Sequence, residues 1–401
     1  MPWNPRHPFS SEEPWEQAVR LPGRIVSLPL LLLAQISERG LLSAEQRHLP
    51  ARILHAEDAL SRFGLHLLPA SLGDRTGLGG KLRLAPPIWN RLLEGELSGS
   101  TRHYSSTRLQ ASQGPVWIVF GYDWRPEERF YGLTNESSED DTTSFASQIT
   151  SARAGVVYPF FREATASPLE LNAWFGPQSL VLRDGRESGV TPLSVGFPWL
   201  AGSLGRAQDH LVFGLRLVAD GRRGQPHWSQ GGRIIAQVEQ FTTPAKRLAL
   251  RSASKQSGQF TRWEVRGEAG ISFWPDPRTL RLSGRIVNQT IDTALVVLLP
   301  YLADLGGSHD LAGFEAGRFH DVDLAVGKLS YLFPLARHFE VDLHAEAGGV
   351  YPNLRRARPE TLEQSYGVAL RCRSGSAPLG SIGLDWSREA VRLRFSWGDV
   401  E

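Results

Sequence analysis

From Gly77 to the end of the chain, apolar and polar residues alternate with a period of two. Between Thr261 and Phe273 one face carries Trp263, Val265, Gly267, Ala269, Ile271 and Phe273. The other carries Arg262, Glu264, Arg266, Glu268, Gly270 and Ser272. The same alternation runs through 280–286, 339–346 and 391–397, and more weakly near 81–84, 117–124, 145–158, 210–218 and 323–332. This pattern predicts strands with one apolar and one strongly polar face. The strands run to about ten residues, against five or six in a typical globular domain, and a tilted strand needs roughly nine to eleven to cross a bilayer. Connections alternate between short, as near Asp276–Arg278, and long, as over Pro300–Asp321. At roughly twenty residues per strand and connection, residues 79–401 hold about sixteen strands. The expected fold is all-β, a transmembrane antiparallel β-barrel. A soluble β-sandwich or β-solenoid also alternates, but the strand length and the dense mixed charge of the polar face favour a barrel with a wet lumen. Aromatic residues near strand ends, including Trp124, Phe130, Tyr131, Trp199, Tyr331, Trp386 and Trp397, suit girdles at the two membrane interfaces.

Ahead of this region, residues 11 to about 66 have a helical period. Ser11 can cap a helix with Glu12, Glu13 and Pro14 in its first turn, and Leu30–Glu38 is closed by Gly40. Ile53, Leu54, Ala59, Leu60 and Phe63 are the apolar positions of a further helix. The expected organisation is therefore a short helical N-terminal segment over 1–76 and a barrel over 77–401.

Composition narrows the function classes. The 401 residues carry 44 Lys and Arg against 42 Asp and Glu, a net +2 without basic runs, which argues against nucleic acid as a partner. Cys372 is the lone cysteine, so neither a disulfide framework nor a cysteine metal site is expected. No apolar run reaches the length of a membrane-spanning helix. Met1 is followed by no export signal.

Four stretches then carry a resemblance. They are Phe130–Phe145 (FYGLTNESSEDDTTSF), Pro300–Asp321 (PYLADLGGSHDLAGFEAGRFHD), Leu343–Tyr351 (LHAEAGGVY) and Arg392–Gly398 (RLRFSWG). In this order they resemble the strand-loop, the infolded loop, the "FxDxGxVW" strand and the closing strand of the bacterial surface antigen family, the BamA/TamA-like outer-membrane barrels. The resemblance implies a barrel-only member without POTRA domains, located in the bacterial outer membrane, in a chain expected to be trimmed or mis-started ahead of Met1. It implies a lumen loop built on Gly306, Gly307, Gly313, Phe314, Arg318 and Asp321, a lumen carboxylate at Glu346, and a closing strand with Leu393, Phe395 and Trp397. The family's loop arginine, which reaches that carboxylate, is replaced by Ala312. Arg318, Arg281 or Arg285 is expected to compensate, because a buried carboxylate without a cation is costly. The closing seam is expected to join a strand starting near Gly80 to Val391–Trp397.

Catalytic signatures are absent: no nucleophile elbow, zinc-protease helix motif, phosphate loop or dinucleotide fingerprint occurs. Glu136, Glu139, Asp140 and Asp141 read as a solvated junction rather than a cation site. Asp342, His344 and Glu346 share one strand face and read as a hydrogen-bond network rather than metal ligands. The expected function is therefore non-catalytic, with no cofactor and no metal: protein insertion, translocation or envelope assembly, with outer-membrane lipid and unfolded or translocating proteins as partners. The alternatives are a small-solute channel lined by Arg262, Glu264, Arg266 and Glu268, an outer-membrane lipid hydrolase, and a soluble β-rich binding protein.

Overall fold

The computed structural model describes residues 64–397 apart from 71–74, 86–91, 162–167, 224–229, 244–258, 274–277, 292–298, 337–338 and 375–376. The helical segment expected over the first sixty or so residues lies outside the described part. The strands are β1 (Leu65–Ala70), β2 (Gly79–Leu84), β3 (Leu93–Ser100), β4 (Ser105–Gln113), β5 (Val116–Phe130), β6 (Thr143–Pro159), β7 (Leu169–Asp184), β8 (Thr191–Pro192), β9 (Ala207–Asp220) and β10 (Gly231–Thr242). They continue as β11 (Phe260–Phe273), β12 (Arg278–Ile291), β13 (Ala303–Leu305), β14 (Phe319–Asp321), β15 (Asp323–Ala336), β16 (Phe339–Tyr351), β17 (Glu363–Ser374), β18 (Ala377–Ser387) and β19 (Val391–Trp397).

Setting aside β8 and the small β13–β14 hairpin, sixteen strands form one antiparallel sheet. Each pairs with its neighbours along the chain, from β1–β2 through β7–β9 and β12–β15 to β18–β19. The two-residue β8 instead lies parallel to β6. The sheet begins at Leu65, earlier than residue 77, and Gly79–Leu84 is its second strand. Among the described residues no ladder joins β1 to β19: β1 pairs with β2 and β19 with β18. One end of the sheet carries the long connections, 131–142, 185–206, 243–259, 292–322 and 352–362. The other carries tight ones, 114–115, 274–277, 337–338 and 375–376.

Alternation assigns the two faces. Trp263 and Ile271 of β11, Leu211 and Phe213 of β9, Leu280 and Leu282 of β12, and Leu393 and Phe395 of β19 are exposed on the outer face. An exposed apolar outer face of this kind is what a membrane-facing barrel would carry. Between these residues, Arg262, Glu264 and Arg285 turn inward and pair with one another. The sheet wraps around the 299–322 segment, which touches β7 through Gln178–Tyr301, β12 through Gln289–Tyr301, β16 through Glu346–Ala312 and β18 through Ser387–Gly313.

Three aromatic residues depart from the girdle expectation. Phe130 and Tyr131 are 0% and 1% exposed, inside the barrel at the top of β5. Trp199 is exposed on the 185–206 connection rather than on a strand. Trp386 is on the outer face of β18.

Candidate functional site: the loop inside the barrel

The segment 299–322 begins in a 3-10 turn, Leu299–Tyr301, and then folds on itself as the β13–β14 hairpin. Gly306 and Gly307 have φ of +112° and +96°, which a side-chain-bearing residue adopts only under strain. Their N–H groups close the turn onto the carbonyls of Asp310 and Phe314. Gly313 lies against β18: a Cβ there would meet the Trp386 carbonyl at 2.8 Å. Its own carbonyl accepts from the Ser387 hydroxyl at 2.9 Å.

The loop is held first by apolar packing. Leu305, Leu311, Phe314 and Phe319 insert among Val287 of β12, Leu324 and Val326 of β15, and Val350 of β16. Leu299, Tyr301 and Leu302 join Phe130, Leu180, Leu182, Val212, Phe241 and Phe260 on the opposite wall. Burying each large side chain contributes roughly 1.5–3 kcal/mol, set against roughly 1–2 kcal/mol per residue to order the backbone. The lumen wall is thus apolar near the long-connection end and charged farther down. The signal in the sequence is loss of alternation: Leu180-Val-Leu182 and Leu211-Val-Phe213 are apolar on both faces.

Three polar contacts then fix the loop's register. The first centres on Arg318, which is 2% exposed. Its Nε and Nη2 donate to the two oxygens of Glu389 at 3.0 and 2.9 Å, Nη1 to the Ser137 hydroxyl at 2.8 Å, and Nη2 also to the Ser137 carbonyl at 2.6 Å. Its guanidinium stacks over Tyr131 and Phe319, 4.9 and 4.7 Å from the ring centres. The 131–142 connection reinforces this: Thr134 N–H donates to the His320 carbonyl, and Leu133 bridges to His320.

The second is Glu346, 3% exposed on the lumen face of β16. Lys328 lies directly across on β15 and Ser365 directly across on β17. Lys328 Nζ donates to Oε1 at 2.7 Å, Ser365 Oγ to Oε2 at 2.6 Å, and the Ala312 backbone N–H to Oε2 at 2.6 Å. The cation beside this carboxylate is therefore Lys328, not the expected arginine. Arg318 is committed to Glu389, Arg285 to Glu264 and Asp310. With Ala312 in the loop, a backbone N–H approaches where a long side chain would have to fold away, and a neighbouring strand supplies the charge.

The third is a rim network. Arg75 and Arg129 both pair with Glu187, at 2.7 and 2.6 Å, and Arg129 also pairs with Glu315 of the loop at 2.9 Å. Tyr131 donates to Glu315, and Arg392 of β19 approaches it at 3.4 Å. Burial works against ionisation of Glu315, but Tyr131, Arg75, Arg129 and Arg392 overcome it and hold its carboxyl below the ordinary range. Burial likewise opposes ionisation of Glu187. Hydrogen bonds from Arg129 and Arg75 outweigh it and bring its pKa down to about 2. A depressed carboxylate contributes stability that is present above its unfolded pKa and is lost as pH falls through the folded one. Amide hydrogen exchange over 185–190 is expected to stay slow from neutral pH to about 4.5 and to accelerate between there and about 2. Exchange-corrected protection that is flat across this window would show that the network does not hold the rim.

Asp321, the last residue of β14, behaves in the opposite sense. Burial pushes its carboxyl up to about 6, against the pull of the Val322 N–H. Burial also lowers the pKa of His320, which packs edge-on to Phe130.

Below the loop a buried row completes the lumen. His344 Nε2 and Asp385 Oδ1 are 2.8 Å apart, Arg394 Nε donates to Asp385 at 2.9 Å, and Arg371 pairs with Asp342. His344 and Asp385 sit on β16 and β18 and touch across β17 because Gly367 leaves the space: a Cβ there would meet Asp385 at 2.1 Å. Arg394 Nη1 also reaches the Ser308 carbonyl of the loop at 3.5 Å. The acidic run on the 131–142 connection forms a short 3-10 turn, Glu139–Asp141, with exposed acids. Among the described residues no group of His, Cys, Asp and Glu is placed to hold a metal ion.

The four stretches singled out in the sequence thus meet at one place: 130–145 through Ser137 and Tyr131, 300–321 as the loop itself, 343–351 through Glu346, and 392–398 through Arg392 and Arg394. Asn135 ties the first to the third, accepting from Val350 N–H at 2.9 Å. Leu393 and Phe395 of the closing strand face outward instead.

Solved structures share this architecture. BamA from Haemophilus ducreyi lacking POTRA domains 1–3 superposes with a TM-score of 0.60 at 11% identity, over 84% of this chain and 70% of that one. CdiB from Acinetobacter baumannii gives 0.51 at 12% identity, over 83% of this chain and 58% of CdiB. CdiB from Escherichia coli gives 0.51 at 14%, over 82% and 61%. The barrel fold is that of these bacterial outer-membrane proteins. No protein-family model matches the sequence. No curated protein matches it either.

Proposed function

We propose that the chain is an outer-membrane barrel of the insertion or translocation type, acting on polypeptide without catalysis. The observation that carries this reading is the pair of edge strands. β1 and β19 are the first and last strands of the wall and each has one ladder partner among the described residues, and a seam between them would offer backbone N–H and C=O groups to an extended segment by strand addition. The loop stands next to that edge: Arg394 and Arg392 of β19 contact Ser308 and Glu315. This differs from an open solute pore, because the loop fills the lumen near the long-connection end. The likeness to BamA and CdiB supports the same reading at the level of fold.

The test is a reconstitution. Full-length protein in liposomes should speed the membrane insertion of an unfolded β-barrel client. A disulfide engineered between β1 and β19 in a Cys372→Ser background should remove the acceleration until reductant is added. Equal client insertion with and without the protein, or no effect of the lock, would refute it. Steady ohmic conductance of the unmodified protein in planar bilayers would point to the channel reading instead.

A further inference from the structure

A continuous polar row crosses the outer face of β4 to β9. Thr107, Tyr122, Thr150, Ser179 and Asp209 lie directly across from one another on β4, β5, β6, β7 and β9. Their inward neighbours fix the direction: Gln178 hydrogen-bonds Tyr301 of the internal loop, and His210 packs on the same ring. The row therefore faces outward. Ser179 Oγ donates to Asp209 Oδ1 at 2.6 Å. One step toward the short-connection end is an apolar row that includes Leu109, Phe120, Ala152, Pro177 and Leu211. Leu109 and Phe120 stand proud while Ala152 does not fill the gap. The result is a trough of about 390 Å³ that ends on the polar row. Pro177 deepens it. It has no N–H to give, and the β6–β7 ladder is interrupted between Ser151↔Gln178 and Ala154↔Phe175.

A carboxylate on a lipid-facing strand is expensive, and such residues mark function. The surroundings here match an amphiphile in two parts: an apolar trough for a chain, and an acid with four hydroxyls in its row for a polar head. Nearer the long connections, Arg183, two rows up on β7, lies over Trp124, one row up on β5, at 5.8 Å and places a positive charge at the rim. An acid with a base nearby is the complement of a zwitterionic headgroup, its ammonium meeting the carboxylate and its phosphate the guanidinium.

We propose that this trough is a lipid-binding site that takes an amine-headed phospholipid, its ammonium on Asp209 and the hydroxyl row, and one acyl chain against Leu109, Phe120 and Ala152. The proposal rests on the reading of this face as membrane-exposed.

The test is native mass spectrometry of the delipidated, full-length protein in detergent, titrated with phosphatidylethanolamine or phosphatidylglycerol of identical chains. The amine lipid is expected to be retained about tenfold more than the glycerol lipid, the scale of one charge-assisted hydrogen bond. Asp209→Asn should bring the two lipids level. Ala152→Leu, which fills the trough, should lower retention of both. Equal retention by the unmodified protein, or a preference that survives Asp209→Asn, overturns the headgroup assignment. Retention unchanged in Ala152→Leu overturns the trough. A cold-gel mobility shift on boiling, measured on the same samples, reports the membrane-barrel reading separately: its absence would remove that reading, and its presence without lipid preference would remove only the site.

Discussion

Replacing Arg318 by Ala is expected to destabilise the internal loop by about 3–5 kcal/mol, the cost of breaking a buried ion pair from one side. The size follows from what the side chain does. It meets Glu389 with two nitrogens, ties to both the hydroxyl and the carbonyl of Ser137, and is sandwiched between Tyr131 and Phe319. Removal leaves Glu389, 11% exposed, without its cation and takes the Arg318 donors from the Ser137 hydroxyl and carbonyl. The sixteen-strand sheet does not depend on this contact, so the folded band should still shift on boiling. The loop, however, should become open to trypsin, and ion conductance absent from the unmodified protein should appear. Arg318→Lys should recover only part of the protection, because a point charge cannot satisfy a forked site. Full protease resistance in Arg318→Ala would show that apolar packing alone holds the loop.

The second large effect is expected at Glu346. Glu346→Ala strands Lys328 and removes the acceptor for Ser365 and for the Ala312 N–H, three groups converging on one carboxylate. A loss of about 3–5 kcal/mol is expected, read as a fall in the temperature at which the cold-gel band converts to the boiled one. The pairing also predicts its own rescue. Lys328→Met alone should be nearly as damaging, while Glu346→Gln with Lys328→Met should recover much of the loss, since no buried charge then remains. Strict additivity of Glu346→Gln and Lys328→Met in the double variant would mean that the lysine and the glutamate do not act as a pair.

Much of this fold was legible in the sequence. Alternation through Thr261–Phe273 and Val391–Trp397 located strands and gave each its outward face, because a period of two survives wherever one face meets water and the other lipid. It failed where that condition fails. Phe130 and Tyr131 resemble girdle aromatics by position, yet both are interior, since the returning loop turns that stretch of lumen into a core. Leu65–Ala70 was missed because LHLLPA lacks alternation. The loop was recognisable from its glycines and from Gly313-Phe314 and Arg318-Phe319. The partner of Glu346 was not, since Lys328 lies eighteen residues away and becomes its neighbour only through the β15–β16 register. The polar row on the outer face was equally hidden: five ordinary residues, one on each of five strands, acquire meaning only once the registers align them.

The loop also sets the order of assembly. Every long ladder in the sheet joins strands consecutive along the chain, so the wall can zip up hairpin by hairpin from local contacts, the fast kind to form. The loop's contacts are of another kind: Arg318 to Ser137 spans 181 residues and Arg129 to Glu315 spans 186. They cannot form until both halves of the wall exist and curve around a common centre. Docking of residues 299–322 is thus what ties the two halves of the wall to each other.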